Sequence, residues 1–162
     1  SGPSTTPDLT TVIVAGSTHL PGPVDLRNEA TVGQRAVDGT PAEVWAVLPG
    51  VFAELGLETT RVDSSEGVIG NPGYRARRIE GQRMSTYLDC GRSFGRDYAD
   101  RYTVTLGVLV QVAPSVDGRT VVRTVLDAYA RDPSQNGPAV HCITWGSLER
   151  RIGDLVEEKL ET

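Results

Sequence analysis

Few side chains in this sequence can attack, ligate or carry a proton at neutral pH. Its 162 residues hold two cysteines, Cys90 and Cys142, and two histidines, His19 and His141. A serine hydrolase needs a histidine to activate its nucleophile, and neither histidine sits in a G-x-S-x-G or comparable setting. A cysteine nucleophile needs a base that a third group orients, and His141 adjoins Cys142 with no such third element recognisable. Cys90, Cys142, His141 and His19 are the available sulfur and imidazole ligands, yet no C-x-x-C or H-x-x-x-H spacing brings them together for a metal. The run GVIGNPG at 67–73 lacks the lysine and the following helix of a phosphate loop. Asp63 and Glu66 flank a turn, where two acids are ordinarily solvated. The expectation is a protein without catalytic residues, metal or cofactor, and hence no enzyme.

The two cysteines suit a covalent staple instead. Both lie in glycine-flanked or polar contexts, LDCG and VHC, at the edges of predicted elements. A bond between them closes a loop of about 50 residues and removes roughly 4 kcal/mol of denatured-state entropy in the chain-entropy account. An even count in an exported chain favours the disulfide. The alternative is two free, buried cysteines in a reducing compartment.

Arginine is the abundant reactive cation, Lys159 being the one lysine. Arg75, Arg77, Arg78, Arg83, Arg92, Arg96 and Arg101 fall within 27 residues, against Glu80, Asp89, Asp97 and Asp100. Guanidinium forks read carboxylates and phosphates bidentately, so the patch would suit an anionic partner. The plainer reading pairs these arginines with nearby acids on a solvated sheet face. Tyr74, Tyr87, Phe94, Tyr98 and Tyr102 are interleaved with them, a composition found at protein interfaces.

A net charge of -5 gives no overall field that attracts nucleic acid. No run approaches the ~18 apolar residues of a spanning helix. The sequence starts at Ser1 with neither methionine nor signal peptide, and reads as a processed or trimmed chain.

The elements that must position these groups divide into an extended arm over 1–39, with one or two strands, and a single α+β domain over 40–162. In the arm, TTVIVAG at 10–16 has the β-branched content of a strand, centred on Thr11, Val12, Ile13, Val14 and Ala15. A second strand is expected within 24–37. Thr40, Pro41 and Gly56 punctuate a helix over 41–56 with Val44, Leu48, Val51, Phe52 and Leu55 on its buried face, and Pro49 should kink or split it. Short strands follow around LETTRVD, GVIG and 73–80, then a possible strand at MSTYLDC and a long loop at GRSFGRDYAD. From Tyr102 to Val112 the apolar residues alternate, and Asp117-Gly118 turns the chain into a second long strand, RTVVRTVLDAYA. A last helix, capped by Thr144, buries Trp145, Leu148, Ile152, Leu155 and Val156. Such an order gives an α+β fold of antiparallel sheet with two helices on one face.

The unit PAEVWAVLPGVFAELGLETTRVDSSEGVIG, with Trp45, Leu55, Gly56, Asp63 and Gly67 at its punctuation, resembles bacterial envelope lipoproteins of the BamC-like, helix-grip type. That resemblance implies an exported, non-catalytic scaffold or assembly module, near a membrane through a lipid anchor. Mature lipoproteins begin with a lipidated cysteine, where this sequence has Ser1. The expected function is a secreted or envelope structural protein that self-assembles into a filament or closed oligomer, its arm adding a strand to a neighbour's sheet. The alternative is a monomeric lipoprotein-like module binding an apolar ligand or partner protein.

Overall fold

A computed structural model of the chain describes residues 10–13, 31–134 and 137–162. Val14, Ala15, His19 and the first part of the expected second arm strand, 24–30, lie outside the described residues. The architecture is α+β: an eight-stranded antiparallel sheet with helices on one face.

A hairpin forms the spine of this sheet. The alternating run becomes β10 (Thr103–Pro114) and its partner β11 (Thr120–Arg131), paired over twelve positions from Thr103↔Arg131 to Pro114↔Thr120. The turn uses Gly118 at φ +83, a conformation costly for other residues, while the Asp117 carboxylate accepts from Arg119 N–H at 3.1 Å. Period-two alternation sends Val104, Leu106, Val108 and Val110 into one core with Val122, Leu126, Ala128 and Ala130. Val68, Leu109 and Val125 are buried as well but do not belong to that core, and the ladder puts Leu109 and Val125 on the opposite face.

On one side of β10 lies β4 (Val68–Ala76), and beyond it the short edge strand β3 (Arg61–Asp63). The segments read separately around GVIG and 73–80 are thus largely one strand. Its register shifts opposite Gly107, so the ladder passes Pro72 with an irregularity instead of ending there. At Gly70 a Cβ would collide with the Val108 carbonyl oxygen, and only glycine allows that approach.

On the other side of β11, β2 (Thr31–Val37) pairs along one half, and β1 (Thr10–Ile13) lies outside it. The remaining part of that edge takes β12 (Val140–Thr144), followed by β7 (Leu88–Asp89). Strand β12 lies between the second long strand and the last helix, where no element was expected. Two small hairpins follow: β5 (Arg78–Ile79) with β6 (Gln82–Arg83) takes up the end of the strand predicted at 73–80, and β8 (Arg92–Ser93) with β9 (Arg96–Asp97) lies in the predicted long loop, while MSTYLDC forms a 3-10 turn over Met84–Thr86 and then β7. Both hairpins turn through a two-residue X-Gly loop with positive φ at both positions, Glu80-Gly81 and Phe94-Gly95. Such loops match the right-handed twist of the strands they join. In each, an arginine closes the loop: Arg78 donates to the Gly81 carbonyl at 2.9 Å and Arg92 to the Gly95 carbonyl at 3.2 Å.

Helix α1 (Pro41–Leu55) starts and stops as expected. Thr40 and Glu43 form a reciprocal capping box, and Gly56 leaves the helix at φ +73. Pro49 does not split it, because the ring lies on the exposed face and the only bond removed is the one to the Trp45 carbonyl. A one-turn helix, α2 (Tyr98–Arg101), precedes β10. Helix α3 (Ser147–Leu160) begins later than predicted. Its cap is Gly146 at φ +91, with Thr144 accepting from Gly146 N–H at 3.0 Å and donating to buried Glu149 at 2.9 Å. Trp145 therefore precedes the helix and is half exposed, its indole N–H on the Ser85 carbonyl at 3.1 Å. Leu148, Ile152, Leu155 and Val156 do form the buried stripe and meet Leu48, Phe52 and Leu106 between the layers.

Helix α3 is clamped to β2 by one side chain. Arg35 is buried with its guanidinium against Gly153, where a Cβ would come within 2.8 Å, and it pairs with Asp154 at 2.8 Å and Glu157 at 3.1 Å.

Candidate functional site

Cys90 and Cys142 are bonded to each other. Cys142 lies on β12 and Cys90 directly follows β7, so the bond staples two strands whose ladder is only Ile143↔Asp89 and Thr144↔Leu88. Both sulfurs are thereby committed, and neither is a free nucleophile or thiolate ligand. A disulfide, with no helix among the described residues long and apolar enough to cross a membrane, is compatible with an extracellular or envelope protein.

His141 is brought to Asp127 by the β11–β12 ladder, Nε2 to Oδ1 at 2.9 Å, with Tyr129 edge-on to the imidazole. This pair escaped sequence reasoning because fourteen residues separate the partners and β12 was read as loop. Asp63 serves its turn: one carboxylate oxygen accepts from the Ser65 hydroxyl at 2.7 Å and from the Ser65 and Glu66 N–H groups at 3.1 Å. Those bonds, the Ser65 hydroxyl's first, hold its pKa below the ordinary aspartate value.

Of the expected assembly strand, Thr11, Val12 and Ile13 lie in β1. Thr10↔Gln34, Thr11↔Gly33, Val12↔Val32 and Ile13↔Thr31 face each other across an antiparallel ladder within the same chain. Strand β1 is therefore one border of the large sheet, with β7 beyond β12 on the same side and β3 on the opposite side.

The seven arginines separate into two groups. Arg75, next to last in β4, is paired with Thr105, and with Arg77, Arg78 and Arg83 it lines one concavity of about 330 Å³. Arg75 also lines a larger adjoining concavity of about 650 Å³, together with Thr103, Thr105, Tyr129 and Arg131. Arg131 was missed because it lies thirty residues beyond the cluster in sequence, and the ladder Thr103↔Arg131 brings it round. By contrast, Arg92 pairs with Asp97 inside its own hairpin at 3.4 Å, Arg96 is on that hairpin's other strand, and Arg101 ends α2. These three do not join the others in lining the clefts.

Beside the smaller cleft, Glu80 receives Arg151 bidentately, Nε at 2.8 Å and Nη2 at 3.0 Å. Hydrogen bonding from Arg151 holds the Glu80 carboxyl below its ordinary pKa. Tyr87 donates its hydroxyl to the Ile79 carbonyl at 2.8 Å, and burial pushes its pKa up.

Fold and site together define a disulfide-stapled, two-layer α+β domain with an open strand border and an arginine-lined end. The chain matches no protein-family model and no curated protein.

Proposed function

We propose that this chain is a non-enzymatic structural domain of the cell exterior or envelope, and that it self-associates by exchanging its N-terminal strand. The observation that carries this reading is the place of β1: four residues on the sheet border, held in antiparallel register to β2 and joined to it through residues 14–30. A strand ladder is made by backbone groups, which do not distinguish which copy supplies them. If β1 of one copy fills the β2 border of another, every ladder bond is kept and the opposing term is the entropy of association. Reciprocal exchange closes a dimer, whereas head-to-tail exchange propagates a filament. The disulfide supports placing the domain outside the cytosol.

Deleting residues 1–23 removes β1 and leaves β2 and the disulfide-bonded domain. Light scattering of the full chain is expected to give a mass above one protomer that rises with concentration, and the deletion variant a single protomer. An unchanged mass after deletion contradicts the reading.

A second reading, a monomeric envelope module that binds a partner protein, draws on the arginine-lined clefts. Its apolar-ligand form has less support, because Leu48, Phe52, Leu106 and Ile152 fill the space between helices and sheet, each at most 1 % exposed.

A further inference from the structure

We infer that the end of the sheet where β4 leaves β10 docks an extended acidic peptide segment of a partner protein. Arg75 and Thr103 belong to both clefts, so the two make one continuous path around the strand ends and not a closed chamber.

Charge decides what suits this path. The chain carries more acids than bases, and four of its guanidiniums are engaged by them: Arg35 pairs with Asp154, Arg92 with Asp97, Arg119 with Asp38 and Arg151 with Glu80. Among the described residues no carboxylate lies within ion-pair distance of Arg75, Arg77, Arg78, Arg83 or Arg131, all of them exposed. Among the described residues Asp100 is the one acid lining the path, and its Oδ1 accepts from the Ser85 N–H at 2.9 Å. Five like charges kept together repel one another, and an external anion relieves that repulsion. Two of the forks are already held, Arg78 on the Gly81 carbonyl at 2.9 Å and Arg131 on the Gly137 carbonyl at 3.1 Å, which reduces the ordering needed on binding.

Shape and composition favour peptide over nucleic acid. Tyr129, Pro133 and Pro138 give the larger cleft apolar walls, and Thr103 and Thr105 add hydroxyls. Carboxylates at alternate positions of an extended peptide lie roughly 7 Å apart on one face, within reach of neighbouring arginines. A long polyanion meets the net charge of -5 outside the cleft, whereas a short peptide senses mainly charges within a screening length of about 8–10 Å.

The test uses the full chain and a fluorescein-labelled decapeptide of alternating glutamate and valine, with its glutamine counterpart as reference. Anisotropy is expected to show the glutamate peptide binding at least about ten-fold more tightly than the glutamine peptide in 50 mM salt, and less so in 300 mM salt. The triple substitution Arg75→Gln, Arg77→Gln and Arg83→Gln, at exposed positions, should weaken binding roughly ten-fold. Arg119→Gln, distant from the path, should leave it unchanged. Circular dichroism establishes that each variant is folded. Equal binding of the two peptides, or undiminished binding by the folded triple variant, overturns the inference. So does tighter binding of a single-stranded oligonucleotide of the same charge.

Discussion

Replacing both cysteines, Cys90→Ala with Cys142→Ala, tests how much of this domain rests on one covalent bond. The cysteines are 52 positions apart, and the loop-closure relation gives about 4 kcal/mol of destabilisation on opening a loop of that size. Each side chain is nearly fully buried, at 2 % and 4 % exposure, but losing one sulfur apiece adds only a small packing loss. Local structure points the same way: the β7–β12 ladder has two residue pairs, too few to persist without the staple. Against a total stability of about 5–15 kcal/mol, the loss is a large fraction. For a domain of this length it corresponds to a fall in Tm of about 10 °C. Urea unfolding of the native protein, the protein in reductant and the double variant measures it. The midpoint should drop alike in reductant and in the variant, while the native protein shows no titratable thiol before reduction. A difference below about 1 kcal/mol, or two reactive thiols in freshly purified protein, refutes the reasoning.

Other substitutions probe single contacts. Arg35→Ala removes the clamp between β2 and α3 and should cost about 2 kcal/mol in urea unfolding, less than a fully buried pair because Asp154 and Glu157 can rehydrate. Phe94 occupies φ +52 with its ring 99 % exposed, so Phe94→Asn should stabilise by about 0.5–1 kcal/mol; a loss would show that the ring makes contacts in the folded protein. Glu80→Gln breaks the bidentate Arg151 pair and should cost about 1 kcal/mol at pH 7. Because the folded-state pKa of Glu80 is depressed, its contribution is present above the ordinary glutamate value of 4.5 and lost as pH falls through the lower folded value. The gap between native protein and variant should therefore close in acid, and a gap constant down to pH 2 contradicts the assignment.

How much the sequence conveyed depended on whether a signal was periodic or merely local. The alternating apolar residues from Tyr102 to Val112 and the Asp117-Gly118 turn left little freedom in the central hairpin, and α1 carried both a stripe and its caps. Strand β12 has five residues and no alternation that distinguishes it from loop; β11 and the disulfide hold it in place. The small hairpins did carry a signal, Glu80-Gly81 and Phe94-Gly95, but glutamate and phenylalanine are not usual at positive φ, so the first was read as the end of a strand and the second as loop. For the arginine path, Arg75, Arg77, Arg78 and Arg83 were visible as a cluster. Arg131 joined them only through strand register, and Arg92 left them for a partner five residues away, a choice made by hairpin geometry and not by charge count.

Strand exchange can be examined without deleting anything. Thr10 faces Gln34 across the β1–β2 ladder, so Thr10→Cys and Gln34→Cys are prepared as two separate proteins, mixed in equal amounts and oxidised mildly. In neither protein can the new cysteine reach its ladder partner within its own chain. Exchange predicts a covalent pair of twice the protomer mass in the mixture, well above the level formed by either protein alone. If the mixture yields no more linked species than its components, β1 stays on its own sheet and the proposed mode of assembly is wrong.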